Sequence, residues 1–303
     1  MALSTRRTRS AIALAAAGVL ALAACGGDTG GGEDSGASTL ERLKDDNTIV
    51  VGIAGEEPYS YTDDNGELTG ATIALHEEVF KNMGIDNVEG QLVEWDALIP
   101  GLNAGRFDAI SAGMSILSER CDKADFSIPE IMYTTALLVP EGNPENLQNM
   151  QDVKESGIKF AAMSGAIEDG YASELGIDTM KVGSPADGLD AVVSGRADAF
   201  ALTGISLRAL AERNPDAPVE VTDAFVAVVD GKEQVGAGAT VFRKDDDELR
   251  EAYNEESAKI IGDPAEFERV LGAFGFSEAE RPTDDITTEM LCKGELPDAE
   301  PSS

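Results

Sequence analysis

β-Branched apolar runs alternate along this chain with segments whose apolar residues recur at helical spacing. The run TIVVGIA at 48–54 predicts a strand, and 73–83 predicts a helix because its apolar side chains recur every three or four residues. A further helix is predicted over 246–261. Further strands are predicted at 91–94, 107–112, 133–139, 159–162, 197–202 and 236–242. This order predicts an α/β fold with mostly parallel strands.

One short element occurs twice in the sequence. GLNAGRFDA at 101–109 and GLDAVVSGRADA at 188–199 both have a helix end, a glycine, an arginine, an apolar residue and Asp-Ala. Gly105 and Gly195 suit the left-handed conformation at a helix C-terminus, and Asp-Ala would open the next strand. The repeat predicts two similar α/β lobes, although this junction is common enough to recur by chance.

Two lobes require the chain to cross between them twice. The strand at 133–139 runs into Pro140 and polar residues, which suits an exit, and 234–242 suits a return with Gly236 and Gly238 as hinge residues. The predicted bounds are 39–137 plus 236–292 for lobe one and 138–235 for lobe two. A cleft between two lobes joined in this way is typical of proteins that close on a ligand.

The two ends of the chain have a different composition. Three arginines precede an apolar run from Ala11 to Ala24 that is too short to cross a bilayer comfortably, which predicts a cleaved signal peptide. The run ends in LAAC, which resembles a bacterial lipobox and implies lipid attachment to Cys25; an ordinary signal peptide with an incidental cysteine is the alternative. The predicted bounds are 1–24 for the signal peptide, 25–38 for the lipidated cysteine and flexible tether, and 293–303 for a disordered tail.

Acidic residues outnumber basic ones by 57 to 23, and the formal net charge is −34. This sign disfavours nucleic-acid binding. The acidity predicts a strongly solvated surface, and adaptation to a saline exterior that screens self-repulsion is the alternative. Nucleotide-binding, zincin and hydrolase motifs are absent from the sequence, and the one histidine, His76, falls inside a predicted helix. We therefore expect no metal, no cofactor and no catalytic residues.

The chain contains three cysteines. If Cys25 carries lipid, Cys121 and Cys292 remain as a pair in an oxidising compartment. This count predicts a disulfide that ties the C-terminal segment to the first lobe, with two buried free thiols as the alternative.

The segment SAGMSILSER at 111–120, followed by ADFSIP at 124–129, resembles the signature of solute-binding proteins of polar-amino-acid-type ABC importers. The similarity extends from Leu40 to about Cys292 and is greatest to the ectoine/hydroxyectoine-binding branch, through segments such as TLERL, GIDNVEG, LIPGLNAGRFD and LLVPEGNP.

The resemblance implies a two-lobed, type II periplasmic-binding-protein fold with two hinge crossings. It implies an exported monomer, anchored by lipid on the outer face of the cytoplasmic membrane, that delivers a small zwitterionic solute such as ectoine to a membrane permease. A binder of a polar amino acid and a dehydratase-like enzyme on the same fold are the alternatives.

The same resemblance assigns expected roles in lobe one. Arg120 would hold the ligand carboxylate through paired hydrogen bonds, where a surface arginine beside a carboxylate is the alternative. Tyr59 and Trp95 would flank a delocalised cation, with cation–π attraction of about 0.5–2 kcal/mol each, unless they are ordinary rim or core aromatics. Glu56 would accept hydrogen bonds from the ligand, unless it is a solvated surface group.

Two positions bear on the identity of the ligand. Thr203 stands where typical amino-acid binders have an aspartate for the α-ammonium group, which favours a ligand with diffuse positive charge. Ser115 stands where the ectoine branch has a third caging aromatic, a place that Tyr133 or Phe225 could fill. In lobe two, backbone N–H groups at the start of the helix after 159–162 would meet the ligand carboxylate. The remaining expected ligand contacts are Gly113, Gly165 and Glu168.

Overall fold

The computed structural model describes residues 37–295. The predicted signal peptide, Cys25 and nearly all of the tether and tail lie outside the described residues. Ser38, predicted to end the tether, belongs to the fold, because its side chain and that of Glu41 cap the first helix reciprocally. Within 37–295, no helix is both long and apolar enough to cross a bilayer.

The described strands follow one another in chain order as β1 (Thr48–Ile53), β2 (Tyr61–Thr62), β3 (Leu68–Thr69), β4 (Asn87–Leu92), β5 (Ala109–Ser115), β6 (Asp125–Phe126), β7 (Ile131–Tyr133), β8 (Thr135–Pro140), β9 (Phe160–Met163), β10 (Thr179–Val182), β11 (Ala199–Thr203), β12 (Val219–Val221), β13 (Val228–Val229), β14 (Lys232–Glu233) and β15 (Gly236–Phe242).

The α-helices are α1 (Thr39–Asp46), α2 (Ala71–Asn82), α3 (Leu98–Asn103), α4 (Ser118–Cys121), α5 (Met150–Ser156), α6 (Ile167–Leu175), α7 (Pro185–Val193), α8 (Gly204–Arg213), α9 (Asp247–Ile261), α10 (Pro264–Leu271) and α11 (Thr288–Cys292). Short 3-10 turns cover Trp95–Ala97, Gly272–Phe274 and Glu278–Glu280.

Two sheets with the same internal order form the two lobes. The first has the order β4-β1-β5-β15-β6, with β7 also on β15, and the second has the order β10-β9-β11-β8-β12. In each sheet the first three strands are parallel and the chain-crossing strand beside them, β15 or β8, is antiparallel. The segment from β1 through α2, β4 and α3 to β5 therefore corresponds to the segment from β9 through α6, β10 and α7 to β11.

The repeated element at 101–109 and 188–199 has the same structural role in both lobes. Gly105 and Gly195 both adopt φ of +68°, which reverses the chain after α3 and α7. Asp108 and Asp198 then bind the chain to corresponding strands of the two lobes, within β1 and directly before β9 respectively. Each donates its backbone N–H over 2.7 Å, to Val50 and Lys159 respectively, and accepts the backbone N–H of that same residue on its carboxylate. The repeat therefore sets the register between the parallel strands of each sheet.

The single strand predicted at 133–139 is two strands. β7 ends at Tyr133 in the first sheet, whereas β8 pairs with β11 of the second sheet from Thr135 onwards. Sheet pairing thus places the first crossover at Thr134, three residues before the predicted bound of lobe one. The strand predicted at 91–94 lies earlier, at β4, because its pairing with β1 starts at Asn87.

The return strand β15 begins at Gly236. A Cβ atom there would lie 2.6 Å from the Tyr133 ring, so this glycine is required by close packing of β15 on β7. Near the C-terminus, Cys292 of α11 forms a disulfide with Cys121 of α4, with Cα atoms 5.7 Å apart. This bond attaches the last described helix to lobe one beside the cleft.

Candidate functional site

A small, partly open cavity of about 20 Å³ lies where the carboxyl ends of the parallel strands of the two lobes meet. This edge is where open α/β sheets present ligand-binding loops. Lobe one contributes residues after β1 and β4 and at the end of β5, and lobe two contributes residues after β9 and at the end of β11. The lining residues are Glu56, Tyr59, Trp95, Ala112, Gly113, Ser115, Tyr133, Met163, Ala166, Ile167, Glu168, Leu202 and Thr203.

Three aromatic rings line this cavity. Tyr59 is buried against Gly113, where a Cβ atom would lie 2.7 Å from the Tyr59 ring and φ is +54°, so only glycine allows this approach. Tyr133 donates a hydrogen bond of 2.5 Å from its hydroxyl to the Ser115 hydroxyl. Trp95 is half-buried and is the third ring. Of the two aromatics considered for the place opposite Ser115, Tyr133 lines the cavity, and Phe225 is not among the lining residues.

A directed chain of hydroxyl groups crosses from lobe one to lobe two and back. The Tyr59 hydroxyl donates to Thr203 Oγ1 over 3.0 Å, and Thr203 donates to Ser206 Oγ over 3.0 Å. Ser206 in turn donates to Glu56 Oε1 over 2.6 Å. Burial raises the pKa of Glu56 to about 7, although the Ser206 hydrogen bond opposes this rise. Thr203, expected to mark a missing carboxylate, therefore connects the two lobes through its hydroxyl.

Glu168, in the first turn of α6, is the second acid in the cavity. It is 1% exposed, and neither carboxylate oxygen has a hydrogen-bond partner among the described residues. Burial raises the pKa of Glu168 to about 8; the charge of Glu56 acts in the same direction, while the backbone N–H of Glu168 and the charge of Arg120 act against it. An unpartnered buried carboxylate is costly, which marks this position as one that receives a hydrogen-bonding or cationic group.

Arg120 lies directly outside the cavity, between it and two open grooves. Its guanidinium is buried and donates to the carbonyl oxygens of Ser115 (Nη1, 3.1 Å) and Gly165 (Nη2, 2.8 Å). The guanidinium carbon is 5.6 Å from the centre of the Trp95 ring. Trp95 Nε1 donates to the same Gly165 carbonyl over 3.1 Å. The Gly165 carbonyl of lobe two therefore accepts hydrogen bonds from both Arg120 and Trp95 of lobe one.

The lobes also meet at the outer rim of the cleft. Arg213, at the end of α8, pairs with Glu57 in the loop after β1 (2.5 Å) and with Asp64 in the turn between β2 and β3 (2.9 Å). These groups are partly exposed, so each pair contributes little to stability, but both pairs connect lobe one to lobe two.

Seven of the nine residues expected to contact the ligand line the cavity, and Arg120 and Gly165 lie against it. Sequence reasoning missed Ser206, which holds Glu56, and the apolar wall of Met163 and Ile167. Ser206 could have been found from its position three residues after Thr203, on the first turn of a helix. Between residues 37 and 295 no cluster of three or more His, Cys, Asp or Glu side chains suits a metal ion.

The sequence matches a known protein family. The family model for bacterial extracellular solute-binding proteins, family 3, matches residues 49–266. The chain is 37% identical to a probable amino-acid ABC transporter periplasmic-binding protein of Sinorhizobium fredii (strain NBRC 101917 / NGR234), y4tE, over 85% of this chain and 87% of that protein.

Solved structures extend the comparison. A crystal structure of EhuB in complex with hydroxyectoine matches with a TM-score of 0.75 and 33% identity, covering 84% of this chain and 97% of that one. The ancestral amino acid-binding protein AncCDT-1, described as a precursor of cyclohexadienyl dehydratase, matches with a TM-score of 0.68 and 27% identity over 78% of this chain and 99% of that one. The chain therefore belongs to family 3 of the bacterial extracellular solute-binding proteins, the substrate-binding components of ABC importers for amino-acid-like solutes.

Proposed function

We propose that this protein captures a compatible solute of the ectoine or hydroxyectoine type by closing its two lobes on it, and presents the closed complex to a membrane permease. The observation that carries the proposal is the cavity's combination of aromatic rings with two buried carboxylates and an adjacent guanidinium. Such a cavity complements a small ligand with a delocalised cation and a carboxylate. The likeness to hydroxyectoine-bound EhuB supports the same ligand class.

Each proposed ligand contact has a distinct task. Tyr59, Trp95 and Tyr133 stack around the cationic ring, while Glu56 accepts its N–H groups. Arg120 exchanges at least one carbonyl contact for the ligand carboxylate, since two charge-assisted hydrogen bonds are stronger than bonds to neutral oxygens. Thr203 provides a hydroxyl in place of an aspartate, which disfavours a compact primary ammonium group.

A second candidate is a polar amino acid. It is favoured by Ser115, whose buried hydroxyl accepts from Tyr133 at the cavity wall, and by the amino-acid assignment of the relative y4tE. The dehydratase-like alternative rests on AncCDT-1, which is itself described as an amino acid-binding protein. We propose binding without turnover, so a ligand recovered from the complex should be chemically unchanged.

The proposed lobes are 39–134 plus 236–292 for lobe one and 135–235 for lobe two, with the first bound shifted to the crossover at Thr134. We further propose that Cys25 carries a lipid that holds the protein at the outer face of the cytoplasmic membrane.

Trp95 is the only tryptophan in the sequence, so its fluorescence reports directly on the cavity. Titration with ectoine, hydroxyectoine, glycine betaine, proline, glutamine and arginine should give a saturable response to the two ectoines at micromolar concentration. A response to α-amino acids alone would replace the proposed ligand class with the second candidate.

Arg120→Ala should abolish the response, because the ligand carboxylate loses its charged partner. Arg120→Lys should restore only part of it, because a lysine cannot make the paired bonds. Arg196→Ala, an exposed arginine of lobe two, is the matched control and should bind as the parent protein does. Unchanged binding by Arg120→Ala would remove this residue from the site.

A further inference from the structure

Glu56 and Glu168 follow corresponding strands of the duplicated fold. Glu56 follows β1, the first strand of lobe one, and Glu168 follows β9, its counterpart in lobe two. Both line the same cavity and both are at most 4% exposed. The cleft therefore brings one carboxylate from each lobe to the two sides of one small space.

The polar surroundings of the two acids differ. Among the described residues, the Glu56 carboxylate accepts one hydrogen bond, from the Ser206 hydroxyl. Glu168 has none among the described residues; its own backbone N–H and the Thr135 hydroxyl lower its pKa without reaching hydrogen-bond geometry. Because an ionised, buried carboxylate is costly without hydrogen bonds, ionised Glu168 requires a hydrogen-bond donor inside the cavity.

The charges around Glu168 limit which kind of hydrogen-bond donor it can receive in the cavity. The ionisable groups that act on Glu168 are Glu56, Arg120 and the hydroxyls of Tyr59, Tyr133 and Tyr171. Burial raises the pKa of each tyrosine above its ordinary value, so all three stay neutral at physiological pH. Arg120 stays cationic, because a guanidinium does not lose its proton in proteins. When both acids are ionised, two carboxylates face one fixed positive charge, which the ligand carboxylate also needs, so a cationic donor is the group that the two acids favour.

We propose that Glu168 is a specificity-determining residue of the site. Paired with Glu56 across the cleft, it selects a planar, delocalised cation with N–H groups directed to both lobes. Binding of that cation releases a proton. This inference rests on the proposed function. A planar amidinium or guanidinium presents donors on opposite edges, whereas a primary ammonium is a compact point charge.

Ligand binding changes the protonation of Glu168. Without the cation, burial and, to a smaller extent, the negative charge of Glu56 keep a proton on Glu168 near neutral pH, and burial favours the protonated form of Glu56 as well. The cation's N–H groups hydrogen-bond to the ionised forms, so the proton leaves the carboxyl group for solvent as the ligand enters. No covalent bond of the ligand changes. Affinity should therefore rise with pH, by up to about tenfold per pH unit for each proton released.

Calorimetric titration of the whole mature protein tests this directly, with ectoine, hydroxyectoine and L-arginine as probes between pH 5.5 and 8.5. For each probe that binds, Kd should fall as pH rises through 7 to 8. Heats measured in phosphate and in Tris at pH 7 should differ in the direction of proton release. A Kd that is constant over this range, with equal heats in both buffers, overturns the inference.

Glu168→Gln tests the residue. The amide is of similar size but cannot ionise, so the pH dependence should largely disappear, and binding at pH 8.5 should weaken by roughly 30-fold or more. Glu174→Gln makes the same charge change at an exposed position of the same helix and should leave both properties unaltered. Binding by Glu168→Gln that matches the parent protein at pH 8.5 overturns the assignment to Glu168.

The outcomes separate this inference from the proposed function. Binding of an ectoine with no proton release refutes the acidic pair and leaves the ligand class intact. Failure of every probe to bind refutes the proposed function, and the inference falls with it. The buffer comparison uses the unaltered protein, so it decides the question even if Glu168→Gln does not fold.

Discussion

Glu168 and His76 are both fully buried titratable residues, and their surroundings give them opposite roles. His76 lies among Phe80 and Tyr253, and its Nε2 atom is 2.6 Å from Thr240 Oγ1. Burial lowers the pKa of His76 to about 3, so the ring stays neutral and acts as a packing residue. Glu168 faces a cavity between lobes, where burial raises its pKa and a ligand can reach it.

The raised pKa of Glu168 has a consequence for stability. Its ordinary value is 4.5 and its value in the folded protein is about 8, so the folded state holds a proton over this interval that the unfolded state has lost. Stability therefore falls as pH rises from about 4.5 towards 8. Glu168→Gln removes this penalty.

We predict that Glu168→Gln and the parent protein unfold at similar temperatures at pH 4.5 without ligand. At pH 8.5 the free energy of unfolding of the variant should exceed that of the parent protein by about a few kcal/mol. Thermal unfolding at pH 4.5, 6.5 and 8.5 measures the difference, with Glu174→Gln as the surface control. A difference that does not change with pH would show that Glu168 does not bear a raised pKa.

At the scale of elements, two helices of lobe two use glycine in two different ways. Gly188, inside α7, allows the helix to approach β11 closely, since a Cβ atom would lie 2.4 Å from the Phe200 ring. Gly170, inside α6, has no atom within 4 Å of the corresponding point. The first glycine is required by packing, whereas the second only lowers helix propensity.

Substitution by alanine should separate these roles. Gly188→Ala should destabilise the protein by about 1–3 kcal/mol, because Phe200 is fully buried and has little room to move. Gly170→Ala should stabilise it by about 0.5–1 kcal/mol through helix propensity alone. Denaturant titration of both variants measures these changes. Equal effects at the two positions would contradict the packing argument for α7.

At the scale of the whole molecule, the cleft depends on attachments far apart in sequence. The disulfide joins residues separated by 171 positions and fixes α11 to lobe one. The contacts of Arg120, Trp95, Tyr59 and Ser206 link lobe one to lobe two. These inter-lobe bonds are few and polar, which suits a cleft that opens and closes rather than a fixed interface.

A thiol count on mature protein isolated from membranes, denatured without reductant, tests both cysteine assignments. We predict no free thiol, because the proposed lipid would occupy the sulfur of Cys25 and Cys121 is bonded to Cys292. Reduction should then release two thiols. One free thiol before reduction would contradict lipid attachment, and two would contradict the disulfide.

Much of the fold follows from the sequence because it depends on local rules. Alternating apolar runs and helical spacing predicted the strands and helices, and the repeated Gly-Arg-x-Asp-Ala element predicted two α/β lobes; the two sheets of identical order confirm this architecture. The break at Thr134 was not predictable, because 133–139 contains no glycine or proline and has the composition of a single strand, which only pairing with two different sheets divides.

The sequence by itself determined the residue types of the site and, through the family resemblance, most of its members. Only the tertiary structure decided their environment. Glu168 in a sequence this acidic has the appearance of a surface residue; its burial opposite Glu56 arises when two lobes meet, and burial is what changes its pKa. Ionisation, charge balance and the Tyr59–Thr203–Ser206–Glu56 chain depend on distances between residues far apart in sequence, and only the folded chain sets those distances.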